Sequence, residues 1–251
     1  MSGWRWAAAS EIGTGHARRG APKQDAFRCV SVPQLSALVA VVCDGAGSAS
    51  HGGEGAALAC RSISSAFVDC LRRFGVTPQD DEIWHSIDGA RDRIATAAAN
   101  RDLRPRDFAT TLIAMIVTPW SQLVVHVGDG AAVGRTADGG WISLSWPDTG
   151  EYASTTYFVT DEPAPKLRIA RSEHRMDACA VFSDGVETFS LNEALRQPHA
   201  PFFDPMLRSI DAALHTGRLM ELSGHLADFL RSERVCARTD DDKTLILASC
   251  R

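Results

Sequence analysis

The period of the hydrophobic positions changes several times along the chain, and each change marks an element. Trp4, Trp6 and Ala8 alternate with their neighbours, which predicts a first strand over residues 4–12. A basic, turn-rich loop, residues 13–25, separates it from two strands in residues 29–43 that turn near Pro33. The second of these ends in the unbroken apolar run Leu38, Val39, Ala40, Val41, Val42, the pattern of a strand buried on both faces. From Glu54 to Phe74 the spacing becomes helical, with Ala57, Leu58, Ile63, Ala66, Phe67, Cys70, Leu71 and Phe74 on one side and Gly75 as the stop. A second amphipathic helix is expected over residues 80–100, burying Ile83, Trp84, Ile87 and Ile94.

Beyond it the strand period returns. Residues 110–117 and 122–127, split by Thr118-Pro119-Trp120-Ser121, read as a hairpin, and residues 131–135 and 141–144 around Asp138-Gly139-Gly140 read as another. Hairpins make antiparallel pairs, which argues against a doubly wound parallel sheet. Residues 145–166 are polar, carry three prolines and lack periodicity, so they are expected to form a long functional loop or flap that selects partners. Strands are predicted at 167–170 and 178–183. Residues 186–232 read as mainly helical, with Leu207, Ile210, Ala213 and Leu214 on one face, and Thr244 to Ala248 as a last buried strand.

Composition narrows the class without naming a function. The 251 residues carry 45% hydrophobic and 23% charged side chains, which suits one globular domain over residues 1–251. A net charge of −5 gives no reason to expect general capture of nucleic acid or membrane. The seven cysteines are scattered and form no CxxC pair, so zinc-ribbon spacing is absent and a reduced compartment is expected. No run of 18 apolar residues is found, and the first residues lack an apolar signal core. The expectation is a cytoplasmic protein.

The candidate chemistry sits where apolar strands stop. Val42-Cys43 runs into Asp44-Gly45, Val127 into Gly128-Asp129-Gly130, and Phe182-Ser183 into Asp184-Gly185; Asp240-Asp241-Asp242 stands just before the last strand. Strand ends hold a backbone still, and glycines let it approach a ligand closely. Four carboxylate sites far apart in sequence are what a binuclear metal centre needs. Oxygen ligands of this kind suit hard Mg²⁺ or Mn²⁺ rather than zinc. Arg18, Arg19 and Lys23 in the first loop are candidates to hold a phosphate.

Taken in order, Gln24-Asp25, Asp44-Gly45, Ala109-Thr110-Thr111, Gly128-Asp129-Gly130, Ser183-Asp184-Gly185 and Asp241-Asp242-Lys243-Thr244 resemble the metal-dependent serine/threonine protein phosphatase family of type 2C, in its compact bacterial branch. The resemblance spans residues 13–248. It implies an α+β fold, a four-layer α-β-β-α sandwich of two antiparallel sheets flanked by helices. It also implies two or three Mn²⁺ or Mg²⁺ ions and a phosphorylated protein partner, a serine/threonine kinase or its target. By the same resemblance Asp44 bridges two ions, the Gly45 carbonyl binds the second, and Asp184 and Asp241 complete the first site. Asp129 belongs to an additional site, and Asp25 supports the centre from behind. Asp44, Asp184 and Asp241 thus carry the catalysis by activating a water.

Two departures from the family pattern bear on the chemistry. Many members have an Arg four residues before the Gln24 position, where this chain has Gly20; Arg19 is the nearest candidate for phosphate. Many have a His two residues after the Asp44 position, proposed to protonate the leaving alkoxide, where this chain has Ala46; His51 is a possible substitute acid. His16 and His126 read as structural. The alternatives are a catalytically weak or inactive pseudophosphatase acting as a regulatory binding module, and a calcium-binding structural domain. The second would need a contiguous ligand loop that Asp240-Asp241-Asp242 does not supply.

Overall fold

The computed structural model describes residues 3–148 and 156–250. Up to residue 148 the strands are β1 (Arg5–Glu11), β2 (Ala26–Val32), β3 (Ala37–Cys43), β4 (Leu112–Val117), β5 (Gln122–Val127), β6 (Ala131–Thr136) and β7 (Trp141–Ser145). After residue 156 come β8 (Arg168–Ser172), β9 (Met176–Phe182), the two-residue strands β10 (Leu191–Asn192), β11 (Gln197–Pro198) and β12 (Gly217–Arg218), and β13 (Lys243–Ser249). The helices are α1 (Thr14–Arg18), α2 (Gly52–Phe74), α3 (Asp80–Ala99), α4 (Glu187–Ser190), α5 (Ala200–Asp211), α6 (Met220–Arg231) and α7 (Glu233–Cys236).

Side-chain alternation sorts these elements into four layers. One sheet has the order β2-β3-β4-β5-β8 and the other β12-β1-β13-β9-β6-β7; every pair is antiparallel except β1 with β12. Leu38, Ala40 and Val42 of β3 meet Trp6 and Ala8 of β1, Val181 of β9, and Ile246 and Ala248 of β13 between the sheets. The alternate residues Val39, Val41 and Cys43 turn outward onto Ile63, Phe67 and Leu71 of α2. On the other side Ala7, Phe182, Leu245 and Leu247 meet Phe203, Leu207 and Ile210 of α5 and Leu226 and Leu230 of α6. A strand buried on both faces must be apolar at every position, and β3 is buried along its whole length. The fold is the α-β-β-α sandwich that the hairpins and the resemblance imply.

Three expectations are corrected. Residues 13–25 are not all loop, because Thr14–Arg18 close one short helical turn among the glycines that mask it in the sequence. Trp84 is not core; it is 38% exposed, lying a third of a turn round from Ile83, Ile87, Ala90, Ile94 and Ala98, which form the buried stripe of α3. Ala213 and Leu214 do not extend the face of α5, which stops at Asp211, and Leu214 is 91% exposed.

Register brings the candidate residues to one end of the sandwich. Ala26 pairs with Cys43, Leu112 with Val127, Phe182 with both Leu245 and Ala131, and Glu11 with Lys243. The loops holding Asp25, Asp44, Asp129, Asp184 and Asp241 therefore leave the sheets at the same edge. Of the expected flap, residues 149–155, which include Glu151, Tyr152 and Thr155, lie outside the described residues.

Candidate active site

A cavity of about 410 Å³ opens at that edge, lined by His16, Arg19, Asp44, Gly45, Ala46, Gly47, Ser48, Thr111, Asp129, Thr156, Phe158, Asp184 and Asp241. A larger groove of about 510 Å³ between α2 and α3 holds none of the candidate residues. Chemistry, not size, singles out the carboxylate cavity.

The backbone of Asp44 is fixed from three sides. Its N–H donates to Thr111 Oγ1 (3.0 Å), and its carbonyl accepts from the Thr110 hydroxyl (2.9 Å) and the Thr111 N–H (2.8 Å). The two threonines before β4 thus hold the end of β3. The Gly45 N–H donates to the Gln24 carbonyl (3.2 Å). A Cβ on Gly45 would lie 2.3 Å from the Gly52 carbonyl carbon, so only glycine lets the start of α2 close over this loop.

Asp25 is buried between the sheets. Its Oδ2 accepts from the hydroxyls of Ser183 (2.7 Å) and Thr244 (2.6 Å), and its carboxyl lies close enough to that of Asp44 for the two to perturb each other. Asp44 is likewise close to Asp184. Neighbouring carboxylates repel, so each disfavours ionisation of the other unless a cation offsets the charge. Burial first, then mutual repulsion, pushes Asp44 well above the usual carboxylate range and Asp184 up to about 8. Asp25 and Asp129 are also raised, chiefly by burial. Thr156 donates its hydroxyl to Asp129 Oδ2 at 2.6 Å.

The residue types fit hard cations. Asp25 Oδ1, Asp184 Oδ1 and Glu187 Oε1 are buried without a hydrogen-bond partner, so acceptor capacity is left over where the carboxylates converge. Among the described residues no three His, Cys, Asp or Glu side chains are gathered tightly enough to enclose a single ion. Asp25 and Asp129 instead accept from the hydroxyls of Ser183, Thr244 and Thr156.

Of the phosphate candidates, Arg19 lines the cavity. Arg18 is turned to Thr14 Oγ1 (3.1 Å), and Lys23 Nζ is spent on Ser10 Oγ (2.5 Å) and the Asp25 carbonyl (3.0 Å). His51 is not brought to the cavity; it stacks on Phe108 with ring centroids 5.0 Å apart and bonds Ser50 Oγ through Nδ1 (2.9 Å). His126 is buried away from it beside Arg168 and Ser145.

The sequence reading gave three residues no role at the site, His16 among them being read as structural. Asp242 is fully buried and accepts from the Gly13 N–H (2.6 Å), the Gln24 N–H (2.5 Å), the Asp25 N–H (3.3 Å) and His16 Nδ1 (3.0 Å). His16 itself lines the cavity. Glu187, three residues after Asp184, is pushed up to about 9 by burial and by the nearby Asp184 and Asp129. The signal for Glu187 was its place one helical turn after a strand-end Asp.

Beyond Asp129, the segment after residue 156 forms one wall. Phe158 packs on Ala46, Ala49 and Ala109, and Arg91 of α3 donates to the carbonyls of Val159 (2.6 Å) and Asp161 (2.8 Å).

A four-layer sandwich with carboxylates gathered at one sheet edge defines the class, and comparison with known proteins defines the family. The family model described as Protein phosphatase 2C matches residues 12–231. The chain is 37% identical to Serine/threonine-protein phosphatase 3 of Escherichia coli (strain K12), over 98% of both chains. Among solved structures it resembles the serine/threonine phosphatase of S. agalactiae, with a TM-score of 0.66 and 14% identity over 99% of this chain and 100% of that one. It also resembles the catalytic domain of the phosphatase PstP in complex with two manganese ions (TM-score 0.63, 16% identity, 99% of both chains). The chain belongs to the protein phosphatase 2C family. Among the described residues no helix is long and apolar enough to cross a membrane.

Proposed function

We propose that this chain removes phosphate from phosphoserine or phosphothreonine of a partner protein, using two or three Mn²⁺ or Mg²⁺ ions held at the strand-end carboxylates. The observation that carries the reading is the convergence of Asp44, Asp129, Asp184 and Asp241 with Arg19 on one cavity. Its identity to a named serine/threonine-protein phosphatase over nearly the whole chain supports the substrate class. Asp44, the Gly45 carbonyl, Asp184 and Asp241 would hold the principal ions and Asp129 a further one, with Asp25 locked behind them by Ser183 and Thr244. Bound ions of this kind lower the pKa of water and offset charge on phosphoryl oxygens.

The chain's own groups do the rest. Arg19 presents a guanidinium to the cavity and would orient the phosphoryl oxygens through paired N–H donors. The Asp44 backbone, tied to Thr110 and Thr111, keeps its carboxylate from swinging as charge develops. The wall at Thr156 and Phe158 limits how a phosphorylated side chain enters. A serine/threonine kinase or its target fits as the partner. Action in the cytoplasm belongs to the same reading, supported by a sequence whose seven cysteines are scattered and form no CxxC pair.

The test is hydrolysis of p-nitrophenyl phosphate and a phosphothreonine peptide with Mn²⁺, Mg²⁺ or EDTA, in wild type, Asp44→Asn and Asp184→Asn. Metal-dependent turnover that drops about 10²-fold or more in both variants is expected. Turnover that persists in EDTA, or in Asp44→Asn, would sink the reading.

A further inference from the structure

The chain lacks an imidazole at position 46, and His51 does not line the cavity, yet hydrolysis of an alkyl phosphate still needs a proton for the departing oxygen. Among the described residues that line the cavity, His16 carries the only imidazole. It is held like the histidine of an acid–base pair. Its Nδ1 lies 3.0 Å from Asp242 Oδ1, and the Asp242 carboxyl also takes backbone N–H donors from Gly13 (2.6 Å), Gln24 (2.5 Å) and Asp25 (3.3 Å). A group that meets only donors is an acceptor, so the network assigns Nδ1 its hydrogen and leaves Nε2 as the working nitrogen. Asp242 has no solvent exposure, and His16 is buried except where it meets the cavity. Nε2 has no hydrogen-bond partner among the described residues and is not one of the buried unsatisfied polar atoms, so it is the accessible ring nitrogen of a side chain that lines the cavity. Arg19, which also lines the cavity, keeps its protons and cannot serve as an acid.

We infer that His16, held by Asp242, is the general acid of this phosphatase and gives the Nε2 proton to the leaving serine or threonine oxygen. The inference rests on the phosphatase reading. A water oxygen forms the new bond to phosphorus and releases one proton to solvent. The phosphorus–oxygen bond to the side chain breaks, and its electron pair stays on the leaving oxygen, which takes the Nε2 proton to become a hydroxyl. His16 ends as neutral imidazole and is reprotonated from solvent. Asp242 steadies the ring in one tautomer and is a positioning residue.

Leaving-group dependence tests this without reference to pH. A threonine alkoxide needs the proton far more than a nitrophenolate does, so the readout is the ratio of kcat on a phosphothreonine peptide to kcat on p-nitrophenyl phosphate, with saturating Mn²⁺. In His16→Gln the ratio should fall by about 10². In Asp242→Asn it should fall in the same direction by a smaller factor, with circular dichroism reporting that each variant is folded. A second variant, His16→Asn, guards against a local packing effect of Gln. A ratio that stays within twofold of wild type in both His16 variants, whether or not both rates drop together, would overturn the assignment. So would a ratio that falls in His51→Gln instead. Wild type that turns over neither substrate would overturn the phosphatase reading itself, and His16 with it.

Discussion

Asp242 shows how three adjacent aspartates come to do different work. Asp241 reaches the cavity, while Asp242 points inward and gathers donors from Gly13, Gln24, Asp25 and His16. In the sequence, residues 240–242 are chemically identical. Nothing but the turn of the backbone ahead of β13 distinguishes them, so Asp241 was legible from its place in a motif and Asp242 was not. His16 was hidden for a related reason: its role depends on a partner 226 residues away. Asp242 is also a structural keystone. Asp242→Ala would leave buried N–H groups without an acceptor, each unpaired group being worth about 1–3 kcal/mol. We expect a loss of about 3 kcal/mol or more in a urea unfolding curve, and about half of that for Asp242→Asn, which keeps one acceptor oxygen. A loss under about 1 kcal/mol for Asp242→Ala would show that water replaces the carboxylate.

At the scale of elements, the strongest local signals were the most reliable. The apolar run of β3 and the helical spacing of α2 were plain in the sequence, because a strand buried on two faces and a long helix against a sheet each demand their own period. The short α1 and the limit of α5 were not legible, since a single turn leaves no periodicity and Ala213-Leu214 continues an apolar pattern past the point where the helix stops. Packing also overrides propensity inside α2. Gly55→Ala should favour the helix by about 1 kcal/mol on intrinsic grounds. A Cβ there would meet the Phe108 carbonyl oxygen at 1.9 Å, however, with backbone on both sides of the contact. The expected outcome is therefore destabilisation by about 2 kcal/mol or more, read from the urea midpoint. A gain in stability would mean that the turn holding Phe108 is free to move, and with it Ala109 and Thr110 behind Asp44.

The whole molecule gathers more carboxylates at one end of its sheets than it can hold ionised without a cation, and this sets how its stability depends on pH. Without metal, Asp44, Asp129 and Asp25 are raised above their ordinary values, Asp184 sits at about 8 and Glu187 at about 9, with burial the first cause in each case. A raised acid binds more protons folded than unfolded. Its contribution to stability is complete below the unfolded value of about 4 and is lost as pH rises through the folded one. His126 works the other way, since burial lowers it to about 3 and its neutral form favours the fold as pH climbs to about 6.5. Above that point His126 is neutral in both states, and the raised carboxylates alone set the slope until thiols begin to titrate near 8.5. In EDTA, stability should therefore fall between pH 6.5 and 8.5, by about 1 kcal/mol per pH unit for each extra proton the folded state holds. Saturating Mn²⁺ should flatten that slope, because a bound cation displaces the protons it replaces. Urea midpoints at closely spaced pH values, with and without Mn²⁺, measure both. A slope that is flat or rising in EDTA would mean that the carboxylates are ionised and hydrated without a cation. A fall that Mn²⁺ does not flatten would place its source in groups other than the cluster at Asp44.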